Sequence, residues 1–267
     1  MLKDITLGQY YQTDSVIHRL DPRVKLVTTV LFIISLFIVD NFIGYIIAGL
    51  FLVMVIKLSK VPFKFMVRGM KSIVILLLFS VVFNLFLTPG EVLVSFWKLK
   101  ITKEGLRLAV FMAIRLLFLI MGSSVMTLTT TPNNLTDGLE KLLNPLKIFK
   151  VPVHEIAMMM SIALRFIPIL LEETDKIMKA QIARGADFES GNLLKKAKSL
   201  VPLLVPLFIS AFRRANDLST AMEARCYRGG EHRTKMKPLI YQKRDRIAYV
   251  VAILYLVLCI VFGKILF

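Results

Sequence analysis

Few residues in this chain have chemistry within reach of one another. His154-Glu155 opens like the helical zinc-hydrolase pattern, in which a second imidazole four positions on shares the helix face and completes the metal site, but that position is Met158. His154 therefore reads as an ordinary satisfied or solvent-facing histidine. Glu172, Glu173 and Asp175 could act as paired carboxylates, yet Lys176 and Lys179 follow at helical spacing and make the group a solvated face. No Gly-x-x-x-x-Gly-Lys-Ser/Thr loop occurs, so the chain offers no cradle for nucleotide phosphates. Cys226 and Cys259, the two cysteines, have no metal-ligand spacing and are not expected to pair. With no converging nucleophile, acid pair or metal set, the chain is expected to catalyse nothing by itself and to hold no cofactor or metal.

One pattern stands out because it occurs twice. Ala180-Gln181-Ile182-Ala183-Arg184-Gly185 and Ala221-Met222-Glu223-Ala224-Arg225-Cys226 share Ala-x-x-Ala-Arg-small, and the arginines lie 225 − 184 = 41 positions apart. Alanines three apart leave one helix face slim enough to enter a groove, and the arginine adds a rigid fork of donors. An arginine near a helix end also suits the dipole, and a glycine after it suits the left-handed cap. Capping alone does not require the repeated Ala-x-x-Ala, so the pair reads as a duplicated device.

Composition says where such a device works. The chain has 267 residues, 56% of them hydrophobic, and still carries 35 Lys+Arg against 18 Asp+Glu, a net charge of +17. A mean hydropathy of +0.69 beside that charge describes a membrane protein with a large basic aqueous face. The cations cluster between apolar runs, as cytoplasmic loops require, so anionic lipid and acidic protein surfaces are the expected counter-charges and nucleic acid is not.

Taken in order, Met1 to Lys25 is a cytoplasmic lead with Asp21-Pro22 as a helix start. Leu26 to Val39 and Phe42 to Ile56 form a hairpin of spans interrupted by Asp40-Asn41, Ser72 to Leu87 is a third, and Leu106 to Leu128 a fourth. Val92 to Ile101, with Trp97, is a short hairpin or interfacial segment. Arg115 lies inside the fourth span, where a cation must face protein or water; Asn84 on the preceding span is the expected tie. A stand-alone secondary transporter using Arg115 as its substrate or ion site is the alternative reading.

Leu135 to Phe149 is a short amphipathic stretch at the membrane surface. Val153 to Arg184 and Leu193 to Arg225 are two long helices, apolar first and charged later, which Pro168, Pro202 and Pro206 are expected to bend, and Met158-Met159-Met160 offers a soft apolar face. Ile247 to Phe267 is a last span. The fold class is thus an all-α integral membrane protein with about five transmembrane helices and long cytoplasmic helices forming a crossing pair. Its regions are a four-span part over 1–131, a cytoplasmic or interfacial part over 132–246 and a final span over 247–267.

Several segments resemble one family. His18-Arg19-Leu20-Asp21-Pro22-Arg23, Ile101-Thr102-Lys103-Glu104-Gly105-Leu106, Arg165-Phe166-Ile167-Pro168 and the two Ala-Arg motifs are similar to those of the transmembrane T component of energy-coupling factor transporters. The resemblance covers essentially the whole chain. It implies a multi-pass subunit of the prokaryotic plasma membrane, with its N-terminus and coupling helices in the cytoplasm. It also implies that the subunit joins two ABC-type ATPases, which bind ATP and Mg, to a substrate-binding S component for uptake of a vitamin or transition metal. By the same resemblance Ala183, Arg184 and Gly185, and Ala224, Arg225 and Cys226, dock on the ATPases. Cys226 stands where the family has glycine, so Gly229 or Gly230 is expected to take over the left-handed turn. The S component is expected on the apolar halves of the same helices, at Met158, Met159, Leu164 and Pro168 and at Leu203, Pro206 and Phe208.

Overall fold

The computed structural model describes residues 10–96, 99–186, 188, 198–230 and 236–264. Their elements are α1 (Pro22–Ile38), α2 (Phe42–Ser59), α3 (Phe63–Leu87), a hairpin of β1 (Val92–Phe96) and β2 (Leu99–Thr102), α4 (Lys103–Thr129), α5 (Pro132–Leu143), a 3-10 turn (Asn144–Phe149), α6 (Val153–Ala183), α7 (Val201–Ala224) and α8 (Lys243–Lys264). The chain is an all-α membrane protein with one short antiparallel hairpin, Ser95 opposite Lys100, joining α3 to α4. Trp97 and Lys98, and the stretch of the second long helix around Leu193, lie outside the described residues.

Among the described residues, four helices are long and apolar enough to cross a membrane: α2, α4, α6 and α8 over Lys243–Gly263. Of the five expected spans, α2, α4 and α8 are in this set, α1 and α3 are not, and α6 is added. Helix α1 has 17 residues and α3 contributes the shorter apolar stretch Leu77–Phe86, whereas α6, read from sequence as a coupling helix, meets the criterion through its apolar first half. Length and apolarity do not separate a helix against lipid from one against another apolar protein.

Contacts divide the described chain into two units, one formed by residues 10–138 and 239–264, the other by residues 139–238. In the first, α8 packs against both α1 and α2, and α4 packs against α1, α2 and α3. Its core holds Phe32, Leu36, Val39, Tyr45, Ala48, Leu52, Tyr255 and Cys259. Tyr255 stacks on Phe51 at 4.1 Å between ring centres and meets the Ser35 hydroxyl at 2.6 Å, so its one polar atom is satisfied inside the bundle. Gly105 lets α4 start close against α3, because a Cβ there would lie 3.0 Å from the Asn84 carbonyl oxygen. Thr102 caps α4 by accepting from the Gly105 amide at 3.1 Å and donates to the Thr88 carbonyl at 2.9 Å.

The starts of α1 and α8 are locked together by carboxylates. Asp21 caps α1 by accepting from the Arg23 amide, and the Arg23 guanidinium returns to Asp21 at 2.8 Å while lying over the Tyr241 ring at 3.8 Å. Asp245, 1% exposed, accepts from the amides of Asp21 at 2.9 Å and Gln242 at 2.8 Å. Burial alone would raise the Asp21 pKa, but the Arg23 hydrogen bonds and charge outweigh it and hold the carboxyl below the ordinary aspartate value. The stabilisation from that shift is present above the ordinary pKa and is lost as pH falls through the depressed one. Upstream, His18 Nε2 meets the Tyr11 carbonyl at 3.0 Å, which can only accept, so a neutral ring is protonated there and Nδ1 accepts from the Ser15 hydroxyl at 2.7 Å. The lead segment is therefore a built turn that sets the start of α1.

Asp245→Ala would leave two buried amides unpaired and is expected to cost about 1–3 kcal/mol. A thermal melt of the purified chain in detergent should show a midpoint several degrees lower; an unchanged midpoint would show that the lock is not what joins α1 to α8.

Candidate functional site

Both Ala-Arg motifs end their helices in the same way, bond for bond. At the end of α6 the Gly185 amide donates to the Ile182 carbonyl at 2.9 Å and the Ala186 amide to the Gln181 carbonyl at 3.0 Å, with Gly185 at φ +89°. At the end of α7 the Cys226 amide donates to the Glu223 carbonyl at 2.8 Å and the Tyr227 amide to the Met222 carbonyl at 3.0 Å, with Cys226 at φ +55°. Each is a complete Schellman closure, in which the residue after the arginine turns left-handed so that two amides fold back on the last carbonyls. Arg184 and Arg225 occupy the same cap position, at φ −87° and −91°.

Cys226 corrects one expectation. It takes the left-handed position itself, and neither Gly229 nor Gly230 does so at the helix end. Gly229 at φ +91° bends the chain three residues later, and Gly230 is seated where a Cβ would come within 2.3 Å of the His154 ring. The closure needs its left-handed residue directly after the arginine, so a distant glycine cannot substitute, and the cysteine carries the strain.

The two ends are displayed, not buried. Ala183, Arg184, Gly185, Ala224, Arg225 and Cys226 are all exposed, and neither arginine has a carboxylate partner among the described residues. Helices α6 and α7 pack side by side in opposite directions: Gln181, near the end of α6, donates to the carbonyl of Pro202 at the start of α7 at 3.3 Å. At the other end, Tyr227 and Met222 share a cleft of about 540 Å³ with Ile162 and Phe166. Arg214 of α7 joins Glu173 of α6 at 3.4 Å across the pair. The antiparallel run sets Arg184 and Arg225 apart by the length of α7, on the order of 35 Å at 1.5 Å per residue.

Both helices run on through their internal prolines, Pro168 and Pro206. Pro202 belongs to the first turn of α7, where a missing amide costs nothing, so it starts the helix and is not a bend. Of the apolar positions, Met159 and Phe208 are largely exposed at 58% and 66%, and Pro168 is also exposed. Met158, Leu164 and Pro206 are half-buried, while Leu203 is buried at 6% and so serves packing. The exposed face of α7 is broader than the residues expected: Leu204, Val205, Phe208, Ile209 and Phe212 are each more than half exposed and recur three and four residues apart. That spacing was visible in the sequence as one stripe.

His154 is largely covered and paired. Its Nδ1 meets Glu140 at 2.9 Å, and no group of three or more potential metal ligands forms among the described residues.

Arg115 is tied, but not to Asn84, whose amide donates to the Ser80 carbonyl in its own helix at 2.8 Å. Arg115 donates to the Tyr45 hydroxyl at 2.9 Å, the Val39 carbonyl at 3.2 Å and Asp40 at 3.1 Å. Because α1 stops at Ile38, the carbonyl of its cap residue Val39 falls beside α4, and the guanidinium donates to it. The signal was Asp40, the one acid between two apolar runs.

Residues 13–236 match the family described as cobalt transport protein, CbiQ. A protein of Clostridium kluyveri named energy-coupling factor transporter transmembrane protein EcfT is 59% identical over 255 residues, which is 95% of this chain and 94% of that relative. The chain belongs to this family. Members with the same name from Bacillus subtilis and Lactococcus lactis are 48% identical over 246 residues and 45% over 265, covering 92% and 99% of this chain and 93% and 100% of their own lengths. The expected family is therefore confirmed over nearly the full chain.

Cys226→Gly should relieve left-handed strain and stabilise the α7 cap by on the order of 0.5–1 kcal/mol. Hydrogen exchange at the amides of residues 226 and 227, which close the motif, should slow, whereas Gly185→Ala should speed exchange at residues 185 and 186. Equal rates in Cys226→Gly and the natural chain would contradict a strained closure.

Proposed function

We propose that this chain couples ATP hydrolysis by two ABC-type ATPases to uptake through a substrate-binding S component. The observation that carries the reading is the pair of identical, exposed, arginine-tipped closures at opposite ends of one antiparallel helix pair. Such a pair has approximate local two-fold symmetry, so it offers equivalent ends to two equivalent or similar partners. The names of the relatives as energy-coupling factor transporter transmembrane proteins support the assembly to which those partners belong.

At each end the arginine projects five donors from a cap whose backbone is already fixed, and the flanking alanines keep the tip narrow. A groove lined by acceptors on an ATPase takes that tip. When ATP draws the ATPases together, the two tips move with them, and α6 and α7 carry the displacement as packed rods toward their apolar halves. The α7 stripe centred on Phe208, with Met159 on α6, takes the S component, since a contiguous apolar face rimmed by polar residues marks an apolar partner. The S component brings the vitamin or transition metal, which is cargo and not a resident group of this chain. The tips and the lead lie in the cytoplasm, where the cation-rich connections also belong. Arg115 commits its Nε and one terminal nitrogen to Tyr45, Val39 and Asp40, which accounts for its place inside α4 without a substrate, so the secondary-transporter reading gains no support.

Arg184→Glu or Arg225→Glu should weaken ATPase docking by about 2–5 kcal/mol each, because a carboxylate then faces the acceptors. Pull-down of the ATPases with the tagged chain from membranes should fall with either change and disappear with both. Full recovery with the double variant would refute docking through these tips.

A further inference from the structure

A crevice of about 320 Å³ lies among α1, α2, α4 and α8, at the end of the bundle where α1 and α8 begin and α2 and α4 finish. Its floor and walls are apolar: Phe32, Phe51, Leu52 and Val125 close it from within, and the Phe51–Tyr255 stack seals it toward the middle of the bundle. It opens between α2 and α8, where Met54, Leu58 and Ile247 remain 50%, 39% and 63% exposed. From Lys25 to Phe32 on α1, or from Val251 back to Arg244 on α8, the crevice is seven residues deep, ~10 Å along a helix.

Its mouth is cationic, and one cation there lacks a partner. Lys25 is committed to the carbonyls of His18 at 3.1 Å and Thr129 at 2.8 Å. Arg244 is not committed: its Nε is buried without a hydrogen-bond partner, and no carboxylate pairs with it among the described residues. Arg244 also sits with Lys243 and Arg246 in the first turn of α8, the positive end of the helix dipole, where cations repel and an anion is favoured. The acid of that turn, Asp245, is already occupied by the Asp21 and Gln242 amides. A buried donor without an acceptor is costly, and the cost is removed when an anion enters the mouth.

We infer that this crevice is a binding site for one anionic phospholipid, with an acyl chain between α2 and α8 and the phosphate on Arg244. A basic pocket between transmembrane helices, open sideways to the bilayer, has the form that recognises acidic headgroups from one leaflet. Both halves of the ligand are needed. A free phosphate would leave the apolar crevice unfilled, and an uncharged or zwitterionic lipid would leave Arg244 without a net anion. The inference rests on the membrane placement of the bundle but not on ATPase docking, so either can fail alone. The bound lipid would fill the gap beside the Asp21–Asp245 lock and steady the starts of α1 and α8.

The test is native mass spectrometry of the full chain, released from detergent micelles doped with phosphatidylglycerol or phosphatidylethanolamine of the same acyl length. One phosphatidylglycerol per chain should be retained, at least about fivefold more strongly than phosphatidylethanolamine. Arg244→Gln should abolish that preference and Arg244→Lys should keep most of it. Ala248→Phe, which places a ring in the crevice, should displace both lipids. Excess inorganic phosphate should not compete. Equal retention of the two lipids, an unchanged preference in Arg244→Gln, or displacement by phosphate alone would each overturn the inference. Should Ala248→Phe fail to yield monodisperse protein, the Arg244 pair decides, because it alters only the mouth.

Discussion

A helix that stops leaves its last carbonyls without donors, and in this protein that constraint has been met twice by the same backbone closure. The closure fixes a left-handed residue directly after an arginine, and fixing it aims the arginine out of the helix end. Arg184 and Arg225 are thus presented by the termination itself and not by a loop that would have to be ordered separately. Because α6 and α7 run antiparallel, terminating both in this way places the two tips at opposite ends of one rigid body. The exposure of the tips follows from that local solution, and their spacing and rough two-fold relation from the antiparallel packing of α6 and α7.

The same constraint operates inside the membrane part, with a different answer. Helix α1 ends early, at Ile38, and leaves the carbonyl of Val39 without a donor in its own helix. Arg115 reaches the Val39 carbonyl from α4 and holds Asp40 and Tyr45 at the same time. A charge that would be expensive against lipid becomes a cap, which is why it sits in the middle of an otherwise apolar helix. At the far end of α1, Asp21, Arg23 and Asp245 do the corresponding work for the amides.

Much of this was legible in the sequence, and what was not has physical causes. The repeated Ala-x-x-Ala-Arg, the Asp21-Pro22 start and the apolar runs are local signals, and they became helix ends, a helix start and helices. The Arg115 partner was missed because α1 and α4 are remote in sequence, and only packing shows that α1 falls short. Cys226 is left-handed because the closure admits only the position directly after the arginine, a constraint stronger than the preference for glycine. Pro202 looked like a bend until the start of α7 was fixed beside it. Leu203 looked like surface because an amphipathic pattern shows which residues are apolar but not which of two apolar faces is covered. Helix α6 passes as a membrane span and as a coupling rod alike, since its first half carries the composition of one and its second half that of the other.

The central claim is that α6 transmits displacement because it is stiff between its apolar half and its arginine tip. Lys176 and Lys179 are exposed on that stretch, so replacing both changes stiffness with little loss of packing. Two glycines there cost about 2 kcal/mol of helix stability, and two alanines cost nothing comparable. The measurement is substrate accumulated per ATP hydrolysed in vesicles carrying the complete transporter. With Lys176→Gly and Lys179→Gly together, the ATPases should still bind and hydrolyse while that ratio falls severalfold, and the alanine pair should match the natural chain. An undiminished ratio in the glycine pair would show that α6 does not carry the stroke.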